Sequence, residues 1–235
     1  MQVRINKYLS ESGYCSRREA DRLIEKGRIK INGDLALIGS KVSEHDLITV
    51  DGKPIKKTSE MIYLAFNKPV GIVSTTDQQI KGNMIDYINF PKRIFHVGRL
   101  DKDSEGLILL TNDGDIVNKI LRAENAHEKE YIVTVNKAVT LDFCKNMSKG
   151  VPILNTLTKP ATVDKIGDKT FKIVLIEGMN RQIRRMCEYF DYEVLSLKRV
   201  RIMHIKLDVP VGRYRPLTES EKKRLFAILN HRTAS

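Results

Sequence analysis

Gly98-Arg99-Leu100-Asp101-Lys102-Asp103-Ser104-Glu105-Gly106 is the most carboxylate-dense segment of the chain, and its reading decides the fold. Three chemistries compete for it. Asp101, Asp103, Glu105 and Gly106 fall on positions 1, 3, 5 and 6 of a calcium-binding loop, but that pattern needs Glu at position 12, where this chain has Asn112. A two-metal nuclease would draw on Asp101, Asp103, Asp113 and Asp115, yet no spacing forces those carboxylates to converge. The third reading is a single nucleophilic carboxylate, Asp101, preceded by Arg and Leu at the edge of a strand.

The flanks favour strands over calcium-loop helices. Residues 107–111 form a short apolar run ended by Asn112-Asp113-Gly114, and 116–121 have helical spacing. Upstream, residues 61–67 are strand-like, Lys68-Pro69-Val70-Gly71 is a turn, and 72–76 form a second β-rich run. Downstream, 131–135 read as a strand, and Thr140 caps a helix that ends at Gly150. Residues 162–166 and 171–177 flank Gly167-Asp168 as a hairpin, 179–190 form a basic helix, and 193–207 favour β structure. Thr218-x-x-Glu221 opens a last helix with Leu225, Phe226 and Leu229 inside. The pattern predicts an α+β protein with a mixed, mostly antiparallel sheet flanked by helices.

The first fifty residues read as a separate compact unit. A short helix around Leu9 stops at Gly13. Ser16-Arg17-Arg18-Glu19 is a capping box, and the helix behind it buries Ala20, Leu23 and Ile24 before Gly27 closes it. Ile29 and Ile31 then alternate with Arg28 and Lys30, Asn32-Gly33 turns the chain, and Asp51-Gly52 turns it again. The expected boundaries are 1–52 for this unit, a polar seam at 53–60, and 61–235 for the larger one.

Charge points to a polyanion. The 235 residues carry 41 Lys and Arg against 29 Asp and Glu, a net +12. Residues 17–30 concentrate it in Arg17, Arg18, Arg22, Lys26, Arg28 and Lys30, with Arg18, Arg22 and Lys26 on one helical face. The bland alternative is a solvated face with pairs such as Arg18–Asp21 or Arg22–Glu25. Cys15, Cys144 and Cys187 have no CxxC spacing, so neither a disulfide framework nor a zinc site is expected, and a reducing cytoplasm fits. No apolar run is long enough to span a bilayer, and no membrane partner is expected. His96 and His127 read as structural or RNA-contacting, and Cys187 as a small buried side chain. No metal is expected, and the chain is expected to be a monomer.

The motifs resemble two known families. Asn6-Lys7-Tyr8-Leu9, Ser16-Arg17-Arg18-Glu19-Ala20 and Gly27-Arg28-Ile29-Lys30-Ile31-Asn32-Gly33 resemble an S4-type RNA-binding domain. Gly98-Arg99-Leu100-Asp101 with Gly106-Leu107 resembles the signature of pseudouridine synthases of the RsuA/RluA-like superfamily. Asn67-Lys68-Pro69-Val70-Gly71, Lys129-Glu130-Tyr131 and Gly178-Met179-Asn180-Arg181-Gln182-Ile183-Arg184-Arg185-Met186 are similar to its other motifs, in the family's order. Residues 102–106, 127–131 and 151–154 look most like the F-type branch acting on large-subunit ribosomal RNA.

The resemblance implies an isomerisation of uridine to pseudouridine in structured ribosomal RNA, with transfer RNA a further candidate and no cofactor. Asp101 would be the nucleophile, Arg184 its guanidinium partner in a dry pocket, and Tyr131 a ring that stacks on the extruded base. Whether the acid attacks the sugar, attacks the base or acts through elimination stays open. Arg99 would fill the space the base vacates. Lys68, Lys129, Arg181 and Arg185 join the basic run of the first unit as RNA contacts, with Arg181 and Arg185 read as an i,i+4 pair. The competing class is a non-catalytic RNA-binding or ribosome-assembly protein that has kept the fold.

Overall fold

A computed structural model describes residues 2–56, 60–121 and 126–231. The chain divides into two compact units, the smaller made of Met1–Ile62, Phe90–Ile94 and Asn112–Gly114.

The smaller unit opens with β1 (Val3–Arg4), α1 (Ile5–Glu11) and α2 (Arg17–Glu25). Ser16 caps α2, its hydroxyl accepting from the Glu19 amide at 3.1 Å. The other half of the capping box is absent, because the Glu19 carboxylate pairs with Arg22 instead. At the far end Gly27 sits at φ +66°. Its amide donates to Ile24 O and that of Arg28 to Leu23 O, a double closure that a left-handed glycine permits. The chain continues through β2 (Ile29–Ile31), β3 (Asp34–Leu35), β4 (Lys41–Val42), β5 (Ile48–Val50) and β6 (Lys53–Pro54). A four-stranded sheet runs β3-β2-β5-β6. Its turns at Asn32-Gly33 and Asp51-Gly52 have positive φ throughout, as two-residue hairpins require. Ile5, Leu9, Ala20, Leu23, Ile24 and Ile29 are among the residues of its core. The stretch read as a seam begins later than expected. Lys53 and Pro54 pair with β5, and the Ile55 amide donates to Ile48 O. Positions 57–59 of that stretch lie outside the described residues.

The larger unit contains β7 (Tyr63–Lys68), α3 (Met84–Ile88), β8 (Phe95–Val97), β9 (Glu105–Thr111), α4 (Gly114–Leu121), β10 (Lys129–Val135) and α5 (Leu141–Ser148). It continues with β11 (Pro152–Ile153), β12 (Thr156–Leu157), β13 (Thr162–Lys165), β14 (Thr170–Leu175), α6 (Gln182–Tyr189), β15 (Val194–Ile202), β16 (Ile205–Lys206), β17 (Tyr214–Pro216) and α7 (Glu219–His231). The main sheet runs β13-β14-β10-β15-β9-β7-β17, with β16 on β15 and β8 on β9. The β15–β9 pair is parallel, with Arg199 opposite Gly106, and the sheet's other pairs are antiparallel. The fold is therefore α+β with a mixed sheet, as expected.

Two cores flank this sheet. One joins Val133, Phe171 and Ile173 to Phe143 and Met147 of α5 and to Met186 and Cys187 of α6. The other joins Leu107 and Leu109 to Ile116 and Ile120 of α4 and Leu225 and Leu229 of α7. Thr218 and Glu221 close a full capping box at the start of α7. Two sequence expectations fail. Residues 72–76 form no strand; Val73 makes one isolated bridge, to Asn83. The basic helix starts at Gln182 rather than 179, because Arg181 is left-handed at φ +48°.

Candidate active site

Seen from the sheet, the segment 99–104 is the lead-in to β9, arriving where that strand meets β15 in parallel. Its backbone is braced along its whole length. The Ser74 hydroxyl donates to Leu100 O at 2.7 Å and accepts from the Leu100 amide at 3.2 Å. Gly71 N donates to Lys102 O, Ser104 N to Asp101 O, and Lys68 Nζ to Ser104 O at 2.8 Å. Arg184 Nη2 donates to Asp103 O and Arg199 Nη1 to Arg99 O. Each interaction fixes a peptide group, so the side chain of Asp101 projects from a preset loop.

Gly106 shows why the motif ends in glycine. A Cβ there would lie 2.3 Å from Arg199 O and 2.6 Å from Arg199 N, and the residue has φ +111°. Only glycine allows β9 to approach β15 this closely. Directly across, β10 carries a register shift between Glu130 and Tyr131, which places Tyr131 opposite Arg199. Bulges of this kind re-aim side chains beside functional sites.

The result is a cavity of about 440 Å³ whose lining includes Arg99, Asp101, Tyr131, Arg181, Arg184 and Arg199. Lys129 lines it as well. All three expected catalytic residues are thus gathered, along with Arg99, Lys129 and Arg181 of the expected RNA contacts.

The pairing inside the cavity differs from the expected one. Arg184 is buried and ion-pairs with Asp103 Oδ2 at 3.3 Å, while its Nη1 donates to Val194 O. The guanidinium nearest Asp101 belongs to Arg181, at 3.8 Å. Arg181 also grips Asp103 through two hydrogen bonds of 3.2 and 3.1 Å. Asp103 is thus the hub of the two guanidinia. Its residual burial would raise its pKa, but the Arg181 hydrogen bonds and the charges of Arg184 and Arg181 outweigh that and hold the carboxyl below its usual range. The Asp101 side chain is 38% exposed, so the expected dry environment is not complete in the free protein.

Three further placements correct the sequence reading. Lys68 is fully buried, not on the surface. Its ammonium donates to Pro69 O and Ser104 O, and burial pushes its pKa down to about 8 against the opposing charges of Asp101, Asp103 and Glu105. It is a brace and a local positive charge rather than a phosphate contact. Arg181 and Arg185 are not an i,i+4 pair on one helix face, since Arg181 precedes α6 in a left-handed conformation. Arg185 instead folds back onto Asn180 through its Nε and Nη2. In the smaller unit Arg17, Arg18, Arg22, Lys26, Arg28 and Lys30 are exposed. Arg28 is held by Asp51 and Arg22 by Glu19, neither of them pairs that the sequence suggested.

Ser74, Asp103 and Arg199 were missed as parts of the site. Arg199 is 3% exposed, and its charge lies over the Tyr131 ring at 6.0 Å. Only the β-rich sequence around it hinted at its position. Cys187 is fully buried, and burial pushes its thiol up to about 12, which fits a core side chain. Among the described residues, no group of three or more His, Cys, Asp or Glu is placed to hold a metal ion, and no helix is long and apolar enough to cross a membrane.

A braced aspartate, a tyrosine and paired guanidinia around one cavity, on this mixed sheet, define a class. Residues 62–189 match the RNA pseudouridylate synthase family and residues 3–48 the S4 domain, and the chain belongs to the RNA pseudouridine synthases of that family. More particularly, it is similar to the dual-specificity RNA pseudouridine synthase RluF of Escherichia coli K12, with 53% identity over 232 residues covering 97% of this chain and 80% of that protein. It is 35% identical to the ribosomal large subunit pseudouridine synthase B of Bacillus subtilis, covering 97% of each. A crystal structure of a pseudouridylate synthase superposes with a TM-score of 0.71 at 29% identity, covering 95% of this chain and 99% of the other.

Proposed function

We propose that this enzyme isomerises a specific uridine of large-subunit ribosomal RNA, using Asp101 as the nucleophile on an extruded nucleotide. One observation carries the reading: Asp101, Tyr131 and Arg184 line a single cavity together with Arg99. The names of the relatives, one a ribosomal large subunit synthase and one of dual specificity, support ribosomal RNA as the substrate and leave room for a second RNA, for which transfer RNA is our candidate. The cytoplasm is the matching compartment.

The chemistry needs a group that retains one fragment while the other turns. The C1′–N1 bond breaks, uracil rotates, C5 joins C1′, the C5 proton leaves and N1 takes one up. Asp101 engages the sugar or the base during the interval, or takes up a proton in an elimination route. Arg181 stands beside it at 3.8 Å, and the Lys68 ammonium braces the loop that carries it through Ser104 O. Tyr131 offers the face on which uracil stacks and a hydroxyl near the site of proton loss. Arg99, exposed at the cavity, occupies the gap in the RNA. Residues 1–52 grip the RNA through their basic face, and 61–235 carry the chemistry.

Asp101→Asn tests the reading. Product formation, followed by tritium release or mass label on ribosomal RNA, is expected to fall by on the order of 10³-fold or more. RNA affinity should stay within about twofold, since the carboxylate is not the source of binding. Equal rates for wild type and variant would remove Asp101 from the mechanism. Pseudouridine maps of ribosomal RNA from cells with and without the protein would identify the target, and identical maps would reject a ribosomal substrate.

A further inference from the structure

Most of the sheltered guanidinia beside this cavity and elsewhere in the larger unit have carboxylate partners. Arg184 has Asp103, Arg201 has Glu128 and Glu130, and Arg215 has Asp208 and Glu221. Arg199 departs from that pattern. It is more deeply buried than any of them, and among the described residues no carboxylate pairs with it. Its Nε donates to Leu107 O at 2.7 Å and its Nη1 to Arg99 O at 3.4 Å. Its Nη2 is buried with no acceptor. A guanidinium taken out of water without a counter-charge is unfavourable unless something anionic arrives.

A second cation stands close by. Lys129 lines the same cavity, and its ammonium donates to His127 O at 3.3 Å. Burial and then the Arg199 charge both push the Lys129 pKa down. The register of β10 and β15 puts Tyr131 opposite Arg199, two residues along from Lys129. The two cations therefore border the ring that receives the base. The Asp103 carboxylate pairs with Arg181 and Arg184, and neither Lys129 nor Arg199 shares it.

We propose that Lys129 and Arg199 form a seat for the carbonyl oxygens of uracil as the base leaves the sugar. The inference rests on the isomerisation and on Tyr131 as the stacking ring. When the C1′–N1 bond breaks, its electron pair goes to the base, and the negative charge spreads from N1 onto O2 and O4. The sugar carbon is satisfied at the same time on the Asp101 side. When C5 attacks C1′ the charge on the base disappears, and the later loss of the C5 proton is matched by protonation of N1, so the product base is neutral. The anion exists only between the two bonds, so cations already in place favour the transition state over the bound ground state. A phosphodiester oxygen is the other acceptor such a seat could take, but its charge is present from the first encounter and would act on affinity.

Single-turnover rate at saturating RNA, measured beside the dissociation constant, separates these. The substrate is a ribosomal RNA fragment carrying the uridine that wild type converts. Arg199→Met is expected to slow conversion by about 10²-fold or more with the dissociation constant within about twofold. Arg199→Lys is expected to recover about tenfold of that loss by restoring the charge. Sulfur in place of O2 or O4 at the target should slow wild type but add little to Arg199→Met. Lys129→Met, at the less buried member of the pair, is expected to show a smaller loss of the same kind. It keeps the test valid should Arg199→Met not fold. A loss confined to affinity would overturn the proposal in favour of a phosphate seat. Rates equal to wild type in both Met variants would overturn it outright. A wild type that forms no pseudouridine overturns this seat together with the proposed function, whereas an Asp101→Asn variant as fast as wild type overturns the role of Asp101 alone.

Discussion

Residues 99–104 and residues 17–30 are both proposed to work on RNA, and they are held in opposite ways. The first is fixed from outside itself. Lys68, Gly71, Ser74, Arg184 and Arg199, the last two 81 and 100 positions from their partners along the chain, tie down its peptide groups. The second is fixed from within, by the Ser16 cap, the Gly27 closure and an apolar stripe of Ala20, Leu23 and Ile24. Chemistry on one bond needs atoms placed to a fraction of an ångström, whereas a phosphate backbone tolerates mobile cations. Damage to the first should therefore appear in rate and damage to the second in affinity.

Gly106→Ala tests the external bracing most severely. The added methyl would collide with the backbone of Arg199, which cannot move without breaking the β9–β15 junction, and φ +111° is strained for alanine. A loss of about 3 kcal/mol is expected in denaturant unfolding. The surviving folded protein should convert RNA far more slowly. A variant with wild-type stability and rate would show that the close approach does not position the loop.

Lys68 sharpens the same side of the comparison through pH. Its folded pKa of about 8 lies below the ordinary lysine value of 10.5. Between those values the unfolded chain holds more protons than the folded one, so this group makes stability rise with pH across that window. Activity should move the other way, since loss of the ammonium removes the positive charge that opposes Asp101, Asp103 and Glu105. The single-turnover rate is expected to fall about tenfold per pH unit above about 8, and Lys68→Met should lack that limb. A flat wild-type profile to pH 10 would take Lys68 out of the site's electrostatics.

These assignments also mark what the sequence could disclose. The smaller unit was readable almost residue by residue, because caps, turn pairs and a 3.6-residue stripe are local signals. The departures there were small, such as Glu19 turning to Arg22 instead of the backbone. Asp101, Tyr131 and Arg184 were found through resemblance to a family, and their shared cavity bears on that choice without testing their roles. What escaped was set by distant contacts. Ser74 looked like part of a β-branched strand, yet it is spent as a buried hydrogen-bonding post for Leu100. Lys68 was read as an RNA contact at the start of a turn, and only its partner 36 residues on reveals it as a brace. The helix α3 was readable in principle, since the Asn83 side chain caps it by accepting from the Asp86 amide.

For the internally built segment the expected loss is of binding. Replacing Arg18, Arg22 and Lys26 together by Ala removes three exposed cations from one face of α2. RNA affinity is expected to weaken by about tenfold or more, and the slope of log K against log salt to shrink by about 2. The shrinkage is less than three full contacts would give because Glu19 already engages Arg22. The rate at saturating RNA should be unchanged. An unaltered salt slope would return this face to the status of solvated surface.

The smallest effect comes from the cap itself. Ser16→Ala removes the acceptor for the Glu19 amide, but that amide is near solvent and water can replace the hydroxyl. The cost is expected at about 1 kcal/mol in unfolding of the smaller unit. The cations of α2 are fixed in register by its buried stripe as well as by its cap, so RNA affinity should change by less than about twofold to threefold. Ser74 has the same side chain in the opposite setting, 2% exposed and bonded to both polar groups of Leu100, so water cannot stand in for it. If Ser16→Ala slowed the chemical step at saturating RNA, a local helix cap would be acting on catalysis, and the separation of the two segments into a gripping face and a preset loop would fail.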